Sequence, residues 1–73
     1  MQNQQDISKP KLPFVSVIVP LYNAEEFIER CLDALIASSY SSFEIIVVDD
    51  CSTDQSVAIA SQKGVKICQL PEQ

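Results

Sequence analysis

FEIIVVDDCSTD, residues Phe43 to Asp54, passes from an unbroken apolar run to paired carboxylates without a transition. Ile45, Ile46, Val47 and Val48 are all β-branched, and such side chains suit a pleated strand. A run without polar alternation suits a strand with apolar side chains on both faces, as in a parallel sheet. Asp49 and Asp50 follow at once, and neither can be buried cheaply without a partner. A parallel strand whose carboxyl end opens into a polar loop accounts for both halves.

On the N-terminal side, FVSVIVP (Phe14 to Pro20) reads as a second strand of the same kind. Pro20 is expected to end it by removing a ladder donor. Between the two strands, Asn23 and Glu26 stand three residues apart, the spacing of a capping box. Phe27, Ile28, Cys31, Leu32, Leu35 and Ile36 then form one apolar stripe, opposite Glu25, Glu29, Arg30 and Asp33. This spacing predicts a helix, with Cys31 in the core and Glu25 and Glu26 in its first turn. SSYSS ends it.

On the C-terminal side, Ser52 and Gln55 give a second capping box, opening a shorter helix to about Lys63. Gly64 supplies a left-handed stop, VKICQL a third strand, and Pro71 its end. Residues 1–13 are polar and broken by Pro10 and Pro13, which predicts a flexible tail and leaves 14–73 as the folded part.

The order is strand, helix, strand, helix, strand, with the roughly thirty-residue repeat of a βαβ unit. Right-handed crossovers between parallel strands give sheet order 3-2-1, a Rossmann-like half fold of the α/β class. Both crossovers step the same way, so both helices are expected on one face. The other face is left bare. The chain is therefore expected to be the first part of a longer protein, or a subunit that covers its bare face with a second copy. Residues 1–73 alone are expected to self-associate or fold poorly.

With 73 residues the chain is at most one small domain. A net charge of −5 argues against nucleic acid as partner. Without histidine, Ser-His and Cys-His catalysis is excluded within the chain. Cys31, Cys51 and Cys68 are odd in number and lack C-x-x-C spacing, which suggests neither a disulfide framework nor a zinc site. The opening lacks an apolar signal region, and no run reaches the roughly 20 residues of a membrane helix, so a cytoplasmic setting is expected.

In open α/β sheets, ligands sit beyond the carboxyl ends of the strands. Two polar loops fall there, PLYN (Pro20 to Asn23) and DDCSTD (Asp49 to Asp54), and neighbouring strands place Tyr22 and Asp50 beside one crevice. A carboxylate can accept from a ribose diol or a base N–H, and an aromatic ring offers a stacking face. That pairing reads as a nucleoside site. The only glycine is Gly64, so neither the dinucleotide fingerprint nor a P-loop is present. Phosphates would need neutralising elsewhere, most simply by a divalent metal. The plainer reading makes Ser52 and Asp54 helix caps and Tyr22 a packing aromatic. It explains the adjacent pair Asp49-Asp50 poorly. Cys51 lies near a helix start, but its acidic neighbours oppose thiolate formation.

VSVIVPLYNAEEFIERCLDALIASSYSSFEIIVVDDCSTDQS, from Val15 to Ser56, resembles the N-terminal signature of family 2 glycosyltransferases of the GT-A fold. Its anchors are VSVIVPLYN and EIIVVDDCSTD, about thirty residues apart. The resemblance implies a nucleotide pocket bordered by Pro20 and Tyr22, with Asp50 bonded to the base and Asp49 and Ser52 supporting the loop. It also implies a UDP-sugar-like donor, an acceptor hydroxyl, and Mn²⁺ or Mg²⁺ in the complete enzyme, which can lie at the cytoplasmic face of a membrane. The family commonly has glycine where this chain has Cys51, so the loop is expected to avoid a conformation only glycine accepts easily. No D-x-D occurs in the chain, and the family's catalytic base lies further on. No catalytic or metal-binding residue is therefore assigned, and the isolated chain is expected to lack transferase activity. Two other readings are a non-catalytic binding or dimeric assembly module and a receiver-like Mg²⁺ site at Asp49-Asp50.

Overall fold

The computed structural model describes residues 13–72. The expected tail lies outside them except for Pro13, whose carbonyl accepts the Tyr40 hydroxyl. Three strands and two helices alternate: β1 (Val15–Leu21), α1 (Ile28–Ile36), β2 (Phe43–Asp49), α2 (Ser56–Ser61) and β3 (Lys66–Gln69). The strands are parallel, in the order β1-β2-β3, with Val19 opposite Val47 and Val47 opposite Ile67. This is the α/β half fold that the strand and helix pattern predicts.

Burial alternates along β2, with Ile45, Val47 and Asp49 inward. These residues and Leu21 meet Ile28 and Leu32 of α1 and Ala60 of α2 in one core. The two helices also pack side by side, joined where Lys63 Nζ reaches Glu29 at 3.1 Å and Asp33 at 2.9 Å. Both therefore lie on one face of the sheet. Strand alternation assigns Ser16, Ile18, Pro20, Glu44, Ile46, Val48, Lys66 and Cys68 to the other face. Ile18 is 55% exposed there. At the N-terminal end of this face, Ser16 Oγ donates to Glu44 at 2.6 Å and Lys66 Nζ lies 2.7 Å from the same carboxylate.

Several boundaries depart from the sequence expectation. Pro20 does not end β1, which continues to Leu21. Val15 N–H donates to Ser42 O and Leu21 O accepts from Asp50 N–H, so odd-numbered backbone groups face β2. Even-numbered ones face the open edge, where the donor that Pro20 lacks was never needed.

Helix α1 begins at Ile28, with Phe27 at its N-cap and no side-chain cap, so Asn23 and Glu26 form no capping box. Ala24 O instead accepts from both Phe27 and Ile28 N–H in a turn ahead of the helix. Glu29, and not Glu25 or Glu26, occupies the first helical turn. The apolar stripe is also narrower than its sequence spacing implies. Ile28 and Leu32 are buried and Leu35 half-buried, while Phe27, Cys31 and Ile36 are exposed. Cys31 is thus not a core residue, because one sheet face and one short helix cover only the middle of the stripe.

Helix α2 starts at Ser56, so Ser52 is not its cap. Its N-cap is Gln55, without a side-chain cap, and ahead of it Asp54 Oδ1 accepts from Ser56 N–H at 2.9 Å in a local turn. The helix ends at Ser61, short of Lys63, with Gln62 as its C-cap, and Gly64 takes the expected left-handed conformation at φ +73 only after an intervening turn.

Candidate functional site

Leu21 and Asp49 are paired at the carboxyl ends of β1 and β2, and Asp50 N–H closes the pair on Leu21 O at 2.9 Å. Tyr22 and Asp50 are the next residues after the two strands, so the register brings them to the same end of the sheet as neighbours. Both are exposed, Tyr22 at 63%. They line a hollow of about 310 Å³ together with Cys51 and Glu72. A slightly larger hollow, about 350 Å³, lies among Glu44, Ile45 and Lys66 at the opposite ends of β2 and β3. Parallel sheets collect ligands at the carboxyl ends, which favours the first.

The two aspartates separate. Asp49 is 1% exposed on the helix-covered side, where its Oδ2 accepts from Ser52 N–H at 3.2 Å and its Oδ1 has no protein partner. Asp50 faces the hollow. Alternation along the strand divides them, so they cannot grip one cation together. Asp49 accordingly holds the loop and does not line the hollow.

Ser52 is half-buried, and its Oγ accepts from Asn23 N–H at 2.9 Å, tying the second loop to the first. Pro20 sits exposed on the uncovered face and is not one of the residues that line the hollow.

Sequence reasoning missed the bonds that hold the two loops together. Asn23 Oδ1 accepts from Thr53 N–H at 2.7 Å, Ser56 Oγ from Ala24 N–H at 2.8 Å, and Asp54 Oδ2 from Glu25 N–H at 3.2 Å. Glu25 Oε1 returns the contact by accepting from Gln55 N–H at 2.8 Å. Asn23, Ser52 and Asp54 looked like helix caps because the same polar side chains that cap a helix can cap a neighbouring loop. Desolvation pushes the Asp54 carboxyl upward, but the hydrogen bonds from Ser56 and Glu25 outweigh it and hold the group below its ordinary value of 3.8.

Cys51 also departs from expectation. Its backbone lies at φ 63, in the left-handed region, so the loop does use a conformation that glycine would accept more easily. Its Sγ lies 3.7 Å from the carbonyls of Leu70 and Pro71. Those contacts and the bond from Leu70 N–H to Asp49 O at 2.8 Å bring the segment after β3, with Glu72, to the hollow. Nothing in the sequence around Glu72 signals this.

Among the described residues, no group of three or more His, Cys, Asp or Glu side chains converges on a point that could hold a metal. Nor is any helix among them long and apolar enough to cross a membrane.

Comparison with known proteins places this geometry. The family model for glycosyl transferase family 2 matches residues 16–73. An uncharacterised glycosyltransferase of Rickettsia prowazekii is 43% identical over 58 residues, which cover 80% of this chain and 18% of that protein. The solved structure of TarS from Staphylococcus aureus in complex with UDP superposes with a TM-score of 0.77 at 39% identity, over 84% of this chain and 20% of the other. The mannosyltransferase PcManGT of Pyrobaculum calidifontis, solved with GDP-Man and Mn²⁺, gives a TM-score of 0.73 at 30% identity, over 88% and 21%. The chain spans about a fifth of the length of these relatives.

Proposed function

Because the chain belongs to glycosyl transferase family 2, we propose that the hollow between Tyr22 and Asp50 receives the nucleoside of a sugar-nucleotide donor, in the first instance a UDP-sugar. The observation that carries this reading is the pairing of an exposed ring and an exposed carboxylate at the ends of two adjacent parallel strands. Asp50 accepts from a base N–H or from the ribose diol, and the Tyr22 ring offers a stacking face. Pro20, outside the hollow, takes no direct part in this reading. Asp49 and Ser52 hold the loop that presents Asp50. That TarS has been solved with UDP and with UDP-GlcNAc supports the choice of uridine.

In the complete transferase the sugar passes from the donor to an acceptor hydroxyl. The described residues contribute donor recognition to that reaction, and neither its base nor a metal ligand is assigned among them. The divalent cation implied by the family does not fit here, because Asp49 and Asp50 diverge and no third ligand converges on either among the described residues. On this reading residues 14–73 are the nucleotide-binding part of a GT-A domain, and the rest of that domain covers the bare sheet face. The protein resides in the cytoplasm or at the cytoplasmic face of a membrane, a setting in which Cys31, Cys51 and Cys68 remain thiols.

Titrating the chain with UDP tests this reading. Saturable binding that weakens about tenfold or more in Asp50→Ala supports it, the loss expected for one hydrogen bond to a charged group. Absence of binding alongside tight dimerisation favours the second reading, an assembly module, for which the exposed apolar surface at Ile18 is the specific observation.

A further inference from the structure

Tyr22 and Asp50 belong to different loops, and binding one nucleoside between them requires a fixed distance. The residue after each is left-handed, Asn23 at φ 44 and Cys51 at φ 63, so both chains turn sharply as soon as they have presented a side chain to the hollow. Of these two, only Asn23 also bonds across to the other loop. Its N–H donates to Ser52 Oγ at 2.9 Å, and its Oδ1 accepts from Thr53 N–H at 2.7 Å and lies 3.4 Å from Thr53 Oγ1. Ser52 is itself held by Asp49 Oδ2. The bonds from Ala24 and Glu25 to Ser56 and Asp54 come later along both loops, and the bond from Asp50 N–H to Leu21 O is the last rung of the sheet, so Asn23 is the first side-chain tie beyond the hollow.

We propose that Asn23 is a positioning residue that sets the separation of Tyr22 and Asp50, and with it the affinity for the nucleoside. The role combines two requirements. The backbone must sit in the left-handed region, which Asn tolerates better than most residues. The side chain must present an acceptor to the amide two residues beyond Cys51. Glycine meets only the first, alanine neither, and aspartate both. The inference rests on the nucleotide-site reading above.

The test is calorimetric titration of UDP into the full chain, with the thermal midpoint of each variant measured in parallel. Asn23→Gly keeps the backbone conformation and deletes the acceptor, and is expected to weaken UDP about tenfold with the fold retained. Asn23→Asp is expected to bind within about threefold of the wild type. A side chain that merely supports the fold would move the thermal midpoint and leave the affinity of the folded protein alone. Wild-type affinity in Asn23→Gly, with binding lost in Asp50→Ala, overturns the positioning role and spares the site. No saturable binding by the wild type overturns both. Should Asn23→Gly not fold, Ser52→Ala, which removes the acceptor of the Asn23 N–H, decides the matter. A loss of about threefold supports the role, and wild-type affinity overturns it.

Discussion

Cys51 adopts the left-handed backbone at φ 63 with a β-carbon in place, a conformation that costs about 1–2 kcal/mol in a residue other than glycine. Cys51→Gly is therefore expected to stabilise the chain by about 0.5–1 kcal/mol, the relief being partly offset by the greater freedom of glycine when unfolded. A urea unfolding midpoint that stays put or falls would contradict this. Legibility at this scale was uneven. Tyr22 and Asp50 could be placed from the sequence because strand ends and register fix where they emerge. The division of labour between Asp49 and Asp50 was only half visible. Alternation separates them, but which one turns inward depends on the side the helices take. Asn23 was misread as a helix cap. Its true partner, Thr53, is thirty residues away in the chain, and spacing rules describe only near neighbours.

The strands and helices themselves followed from pattern, since β-branched runs and a four-residue apolar period report local preferences that packing then confirms. Their limits did not. β1 runs through Pro20 because its donor faces the open edge, and α1 starts at Ile28 because the preceding residues bond to the opposite loop. Across the strands, the hydrogen bond from Lys66 is the main cause holding the Glu44 carboxyl below its ordinary value of 4.5, with the Ser16 hydroxyl second. A carboxyl lowered in the folded state contributes stability that is present above its unfolded value and lost as pH falls through the folded one. The stability difference between wild type and Glu44→Gln should thus shrink as pH drops from about 6 to about 3. Denaturant midpoints measured across that range check it, and a gap independent of pH would rule out the ionised pair as its source. Lys63 behaves in the opposite sense. Asp33 and then Glu29 raise it above its ordinary 10.5, so its contribution is present below that value and fades only at higher, strongly alkaline pH.

For the whole molecule, the consequence of two same-handed crossovers was legible in the sequence: among the described residues one face of the sheet carries both helices, and the other carries none. The polar group Ser16, Glu44 and Lys66 occupies one end of that bare face, which leaves Ile18, Ile46, Val48 and Cys68 as its apolar part. Self-association of the 73-residue chain through this surface is the expected behaviour, and Ile18→Lys should reduce it while changing stability by no more than about 0.5 kcal/mol, as for most surface substitutions. Sedimentation equilibrium over a range of concentrations reads this directly. A wild type that stays monomeric and melts in one cooperative step would remove the need for any cover.

The open edge of β1 carries one asymmetry with a wider consequence. Ser16 and Ile18 turn their amide donors outward, and Pro20, at the rung nearest the hollow, has none to turn. A strand laid along this edge could zip up from the Ser16 end but would find a missing tooth just below Tyr22. It would be free to splay there, so a single imino acid loosens any pairing at the rung beside Tyr22.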